Sequence, residues 1–167
     1  MPYRRRALCQ FLALSLLSLA LMSSCGPDIV SRSTLKIQES GWSYPDTLSC
    51  AYTVADTQQV HDLLLDIGHS TSYGFQNLYV KIHTYFPSGR HLQQVVSLEL
   101  ADKFGTWQGH CSGETCHIRI PIQEGAYFQE TGTYRLTIEQ FMRTDPLPGV
   151  SSITFLLEKR RASRLNN

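Results

Sequence analysis

No segment of this sequence keeps a helical period over three turns, an absence that argues against a helical fold. Long hydrophobic runs are missing too. Phe11 to Met22 is almost wholly apolar, but its twelve residues would span only about 18 Å as a helix, against a hydrocarbon core roughly 30 Å thick. Charge of one sign is scarce as well. Fifteen Lys and Arg against 14 Asp and Glu leave a formal +1, which excludes a broad nucleic-acid surface, so no nucleic acid is expected as a partner. The chain lacks a Gly-x-Ser-x-Gly elbow, a His-Glu-x-x-His pair and a glycine-rich phosphate loop. No catalytic residue, enzyme activity, metal or cofactor is therefore implied. Asp102, Glu114, Glu124, Glu130 and Glu139 would offer acid–base pairs on paper, as any domain with this many carboxylates does. Internal repeats and low-complexity tracts are absent, and the length suits one domain.

What is present begins at the amino end. Arg4, Arg5 and Arg6 form a basic head, the apolar run follows, and Ser23 and Ser24 supply small residues just before Cys25. This is the build of an export signal. LMSSC resembles the bacterial lipobox, in which the cysteine sulfur carries diacylglycerol and cleavage frees its amine for a third acyl chain. Cys25 is thus the expected lipid-attachment residue, and several buried acyl chains at about 0.8 kcal/mol per methylene hold a protein at a membrane. Residues 1–24 read as a lipoprotein signal peptide and 25–47 as a lipidated tether, with Trp42 packing down on the domain edge. Residues 48–159 read as the folded domain, and 160–167 as a solvated basic tail. Gly26, with no aspartate directly after Cys25, favours the outer membrane and a periplasm-facing domain.

From residue 48 onward the chain alternates apolar and polar residues with period two. Leu48, Cys50, Tyr52 and Val54 form one such set, and Leu63, Leu65 and Ile67 another, blurred by Leu64. The sets Leu78–Ile82, Val96–Leu100, Ile118–Ile122, Tyr134–Ile138 and Ile153–Leu157 repeat the pattern. Pro87-Ser88-Gly89, Ser112-Gly113 and Thr131-Gly132 punctuate them. One apolar face per strand predicts antiparallel sheets closing over a shared core, an all-β sandwich of about seven or eight strands, Ig-like or jelly-roll-like. Pro121 predicts an edge position or a bulge. His83, His110 and His117 fall on outward faces. Trp107, Tyr127 and Phe128, near turns, are expected to plug the sandwich ends; lined up in one groove they would instead suit a glycan.

HCSGETCH, residues 110–117, brings four nitrogen and sulfur donors together. A single metal is disfavoured, because neighbours on a strand point to opposite faces and Cys116 and His117 cannot both reach it. A hairpin would place Cys111 across from Cys116, within reach of a disulfide, with His110 and His117 on the other face. Cys50 shares the parity of Tyr52 and Val54. It is either a small buried residue or a competing partner for Cys111 or Cys116.

Several blocks together resemble the gliding motility-associated lipoprotein GldH family of the Bacteroidetes. Tyr73-Gly74-Phe75-Gln76-Asn77-Leu78-Tyr79 opens the set, followed by the Pro87–Gly89 turn. Leu100, Asp102, Gly105, Trp107 and Gly109 form a Leu-x-Asp…Gly-x-Trp-x-Gly segment. Gly132 and Tyr134, then Gln140, Met142 and Arg143, then Leu147 and Gly149, complete it. The resemblance spans about residues 60–159 plus the lipobox. Gly74 stands where that turn usually has proline, and the cysteine pair is particular to this chain. The resemblance implies a non-catalytic, membrane-anchored accessory protein of the envelope machinery for gliding and linked protein secretion. Its partners would be other envelope lipoproteins or motility and secretion proteins. Asn77, Trp107, Met142 and Arg143 are the candidate structural or partner-binding residues. A glycan-binding sandwich module of the envelope is the alternative.

Overall fold

A computed structural model describes residues 27–160. The expected signal peptide, Cys25 and the tail from residue 161 lie outside the described residues. Nine strands run in chain order: β1 (Asp28–Lys36), β2 (Leu48–Val54), β3 (Val60–Ser70), β4 (Asn77–Tyr85), β5 (His91–Glu99), β6 (His110–Ser112), β7 (Thr115–Tyr127), β8 (Gly132–Gln140) and β9 (Val150–Lys159). They form two antiparallel sheets, one of five strands in the order β1-β9-β3-β7-β6 and one of four in the order β2-β8-β4-β5. The two sheets face each other without closing into a barrel, so the expected all-β sandwich is the fold.

Parity explains the packing. Leu65, Ile67, Ile153, Phe155 and Leu157 project from the five-stranded sheet onto Leu78, Val80, Ile82, Leu136 and Ile138 of the other, and all are buried. Each such side chain contributes about 1.5–3 kcal/mol on burial. Leu64, which blurs the alternation, points outward and pairs with Leu156 on one side and Pro121 on the other. Pro121 lies where β7 has run past β6 and is an edge, beside two register shifts in its pairing with β3. Both expected reasons for a proline there hold.

Two expectations are corrected. Residues 28–36, assigned to a tether, form β1, an edge strand paired to β9 from Asp28↔Lys159 to Lys36↔Ser152. Its polar run DIVSRSTLK hides it, because the backbone ladder and a Thr34–Thr154 hydroxyl contact of 2.9 Å hold it rather than an apolar face. Arg160, placed at the start of a solvated tail, instead donates from Nη2 to Asp62 at 2.9 Å and to Glu124 at 3.3 Å. Trp42 behaves as expected. It is fully buried, its backbone exchanges hydrogen bonds with Leu147, and its indole donates to the Asp46 carbonyl at 2.5 Å.

The Leu100–Gly109 segment is held by local contacts. Leu100 is buried, and the Asp102 carboxylate accepts from the Phe104 and Thr106 amides at 2.9 Å. Gly105 and Gly109 adopt φ of 83° and 82°, values that disfavour any residue with a Cβ. At Gly109 a methyl group would overlap the His117 carbonyl oxygen and come within 2.9 Å of Ile118. Gly109→Ala should therefore lower unfolding stability by more than about 1 kcal/mol, read as a fall in urea midpoint with unchanged slope.

Candidate functional site

The two sheets present very different outer faces. On the five-stranded sheet, Arg119 grips Asp66 with two bonds of 2.6 and 2.8 Å and reaches Glu158 at 3.4 Å. Asp62 accepts from both Arg160 and the Gly125 amide. That face neutralises itself. On the four-stranded sheet, the outward residues include Tyr79 and Val95, 41% and 48% exposed, flanked by Phe75 and Phe141 at 40% and 48%. Together with Asn77, Met142, Arg143 and Thr144 they line one shallow depression. Exposed rings clustered on one face are the feature that marks a contact surface.

Three of the four candidate motif residues meet here. Asn77 donates to the Ser97 hydroxyl at 3.1 Å across the β4–β5 pair, and its carbonyl accepts from Tyr73. Met142 completes a ladder. β8 leaves the sheet after Gln140, so Phe141 donates its amide to the Tyr79 carbonyl, and the Tyr79 amide finds the Met142 sulfur at 3.3 Å. Arg143 is exposed and makes no ion pair among the described residues. Asp145, two residues on, accepts from the Tyr44 amide at 2.9 Å. The cation is left beside the rings. Lys81 is paired to Glu139 at 2.8 Å and lies 4.5 Å from the Phe141 ring. The Lys81 ammonium, helped by His83, holds the Glu139 carboxyl below its ordinary range.

A buried amide fixes this corner. Gln140, 2% exposed, accepts from the Met142 amide at 2.8 Å and donates to the carbonyls of Thr144 and Trp42 at 3.2 and 3.4 Å. The sequence pattern Gln-x-Met-Arg held this signal. Phe75, Val95 and Phe141, by contrast, carry no signal of their own, since they come from separate elements.

Trp107 lies apart, at the end of the sandwich. Half-buried, it donates to the Thr71 carbonyl at 3.2 Å and its ring lies 4.7 Å from His69, next to Tyr73. Phe128 plugs the opposite end against Tyr52 and Tyr134, while Tyr127 stays 66% exposed. The three rings do not line one groove. Beside Phe128 the sandwich gapes into a cleft of about 270 Å³ lined in part by Arg90, Gln94, Gln123 and Tyr52. The Tyr52 hydroxyl is buried and has no hydrogen-bond partner among the described residues.

Cys111 and Cys116 sit opposite each other in the β6–β7 register and are joined by a disulfide, with His110 opposite His117. Burial pushes the Cys50 thiol up to about 11, so it stays protonated near neutral pH.

Two outcomes follow from these contacts. Gln140→Leu should cost about 1–3 kcal/mol, because it leaves the Met142 amide and the Thr144 carbonyl without their partner, and amide exchange at residues 141–145 should accelerate. Burial lowers the affinity of His61 and His69 for protons in the folded state. The unfolded chain then binds more protons below the ordinary histidine value of about 6.5. Stability should be fully present above that pH and fall as the solution is acidified, by up to about 1.4 kcal/mol per pH unit for each histidine. Unfolding at a series of pH values with and without His69→Gln measures it, and the variant should show the shallower slope.

The chain matches the family model described as GldH lipoprotein over residues 29–156, a span that includes β1. It is 25% identical over 149 residues to a gliding motility lipoprotein GldH homolog of Christiangramia forsetii, covering 85% of this chain and 91% of that protein. It is 22% identical over 152 residues to the gliding motility lipoprotein GldH of Flavobacterium johnsoniae, covering 87% of this chain and 94% of that protein. Among solved structures, a family 35 carbohydrate binding module from an environmental isolate aligns with 79% of this chain and 88% of its own, at 12% identity and a TM-score of 0.34, too remote to bear on function. With the match running from within β1 to within β9 and both of these relatives aligned over nearly their whole length, the chain belongs to the GldH lipoprotein family.

Proposed function

We propose that this protein is a non-catalytic accessory lipoprotein of the envelope apparatus for gliding and its linked protein secretion, anchored through acyl chains on Cys25. The names of its curated relatives support the motility assignment. Outer-membrane placement with the domain in the periplasm fits the Cys25-Gly26 sequence. The single observation that carries a contact role is the exposed corner of the four-stranded sheet. There Phe75, Tyr79, Phe141 and the unpaired Arg143 stand on a frame fixed by Gln140. Aromatic and arginine side chains supply most hot spots at protein interfaces, which makes a partner protein the natural occupant.

Lipid attachment gives the mechanism. A domain held at a membrane face meets co-anchored partners at high local concentration, so a small patch is enough without turnover. A second reading, a glycan-binding module, draws on the open cleft with Arg90 and three glutamines in its lining.

Crosslinked recovery of the tagged protein from native membranes tests both readings. Other lipoproteins of the motility apparatus should be recovered, and Phe141→Ala with Arg143→Ala should lose them while folding normally. Recovery of glycan alone, unaffected by those substitutions, overturns the main reading. Cys25→Ser should move the protein out of the membrane fraction; a product that still fractionates with lipid and supports motility overturns the anchor.

A further inference from the structure

Edge strands in a sandwich expose unpaired backbone groups, and stable proteins blunt them with short strands, proline, bulges or charge. β6 is three residues long. β7 carries Pro121 and two register shifts. β1 has a register shift near its start and holds Asp28, Arg32 and Lys36. β2, the other edge of the four-stranded sheet, is free of proline and bulges but has β1 packed beside it. β5 combines full length with no proline and no bulge, and its one carboxylate, Glu99, sits at its end. Its nine residues HLQQVVSLE contain no proline, glycine or lysine, and they pair with β4 in unbroken register from Asn77↔Glu99 to Tyr85↔His91.

The bonding pattern can be read from its two ends. Leu100 donates to Gln76 at 2.8 Å, and Phe86 donates to Arg90 at 2.9 Å. Even-numbered residues of β5 therefore exchange hydrogen bonds with β4, and the odd ones turn their N–H and C=O groups to the free edge. Those are His91, Gln93, Val95, Ser97 and Glu99, whose side chains all lie on the outer face beside Tyr79 and Lys81.

We propose that β5 pairs with β5 of a second copy of this chain, antiparallel and in full overlap, to make one continuous eight-stranded sheet. Full overlap sets His91 opposite Glu99 of the other copy, Gln93 opposite Ser97, and Val95 opposite itself. Each of these is an odd–odd pair, which is what the free hydrogen-bonding groups require; a slip of one residue would set odd against even and lose the ladder. The strand is self-complementary at its ends, a ring N–H facing a carboxylate acceptor. The His91 ring is stacked on Tyr85 at 4.5 Å and uses Nε2 toward His83, leaving Nδ1 free to meet a carboxylate. Glu99 engages Ser97 through Oε1 only. On the inner face Leu92, 50% exposed at the mouth of the cleft, comes opposite the partner's Leu98. The two-fold at Val95 joins both exposed corners into one surface. This pairing does not depend on a motility role.

The test uses the full lipidated chain in its own membranes. Val95→Cys places one added thiol at the axis, where facing Cα atoms of a hydrogen-bonded pair lie about 5.5 Å apart, within disulfide range. Mild oxidation should give a species of twice the monomer mass on a non-reducing gel, reversed by thiol. Leu92→Cys, which faces Leu98 and not itself, should give much less. His91→Glu in the Val95→Cys background should lose the crosslink, and adding Glu99→His should restore it. Equal crosslinking at positions 92 and 95, failure of the charge exchange to restore it, or an adduct only with a different protein would each overturn the pairing. A Val95→Cys chain that stays monomeric although its circular dichroism matches the parent would do the same.

Discussion

Burial of alternate side chains between two sheets is the constraint from which the rest of this structure follows. A strand has two faces and the core takes one. Once Leu65, Ile67 and Phe155 face Val80, Leu136 and Ile138, every residue of opposite parity is committed to an outer surface. The five-stranded sheet fills that surface with mutually satisfied charges around Arg119 and Arg160. Such exposed pairs add little stability, but they tie up the charged groups at the centre of that face. The four-stranded sheet pairs Lys81 with Glu139, stacks Arg135 on Tyr85, and at its corner exposes rings beside the guanidinium of Arg143. Two sheets made by the same rule thus diverge in use, and the difference lies wholly in the outward residues.

The same constraint explains why a polar residue sits in the wall of the core. β8 must end where the chain turns away, and its last backbone partners on β4 would be orphaned there. Unpaired buried backbone groups are costly. Gln140, buried at that end, closes the turn with three hydrogen bonds, and Met142 accepts the remaining β4 amide through its sulfur. A need of the fold therefore fixes the position of Met142 and Arg143. The exposed corner is rigid because the ladder beneath it had to be completed.

Much of this was legible in the sequence, and the gaps have physical causes. The period-two sets of β2, β3, β4, β8 and β9 are visible because each buries one apolar face. β1 escapes a sequence reading because six of its nine residues are polar or charged, and its hold is the backbone ladder to β9, far away in sequence. The segment from Leu100 to Gly109 could be read locally, since positive φ at Gly105 and Gly109 and the Asp102 turn are short-range demands. The corner itself could be read only in part. Gln140, Met142 and Arg143 share a motif, whereas Phe75 and Val95 join them only through strand order, which alternation does not encode. Nor does alternation reveal that Asp145 would be taken by the Tyr44 amide, leaving Arg143 without its nearest acid.

An anchored domain changes what an interface has to achieve. In solution, association costs translational and rotational freedom that a patch of a few side chains struggles to offset. With acyl chains on Cys25, as proposed, both partners are confined to one plane before they touch, and much of that cost has already been met. Small contacts then become sufficient, and specificity can rest on a single cation among rings. The β5 edge fits the same economy. Its backbone groups offer directional bonds that need no large apolar area, and its His91 and Glu99 ends select one register over its neighbours. A free edge of this kind endangers a protein at high concentration in bulk solvent; confined to a membrane face and met by its own complement, it becomes a way of doubling the exposed corner without adding a residue to the chain.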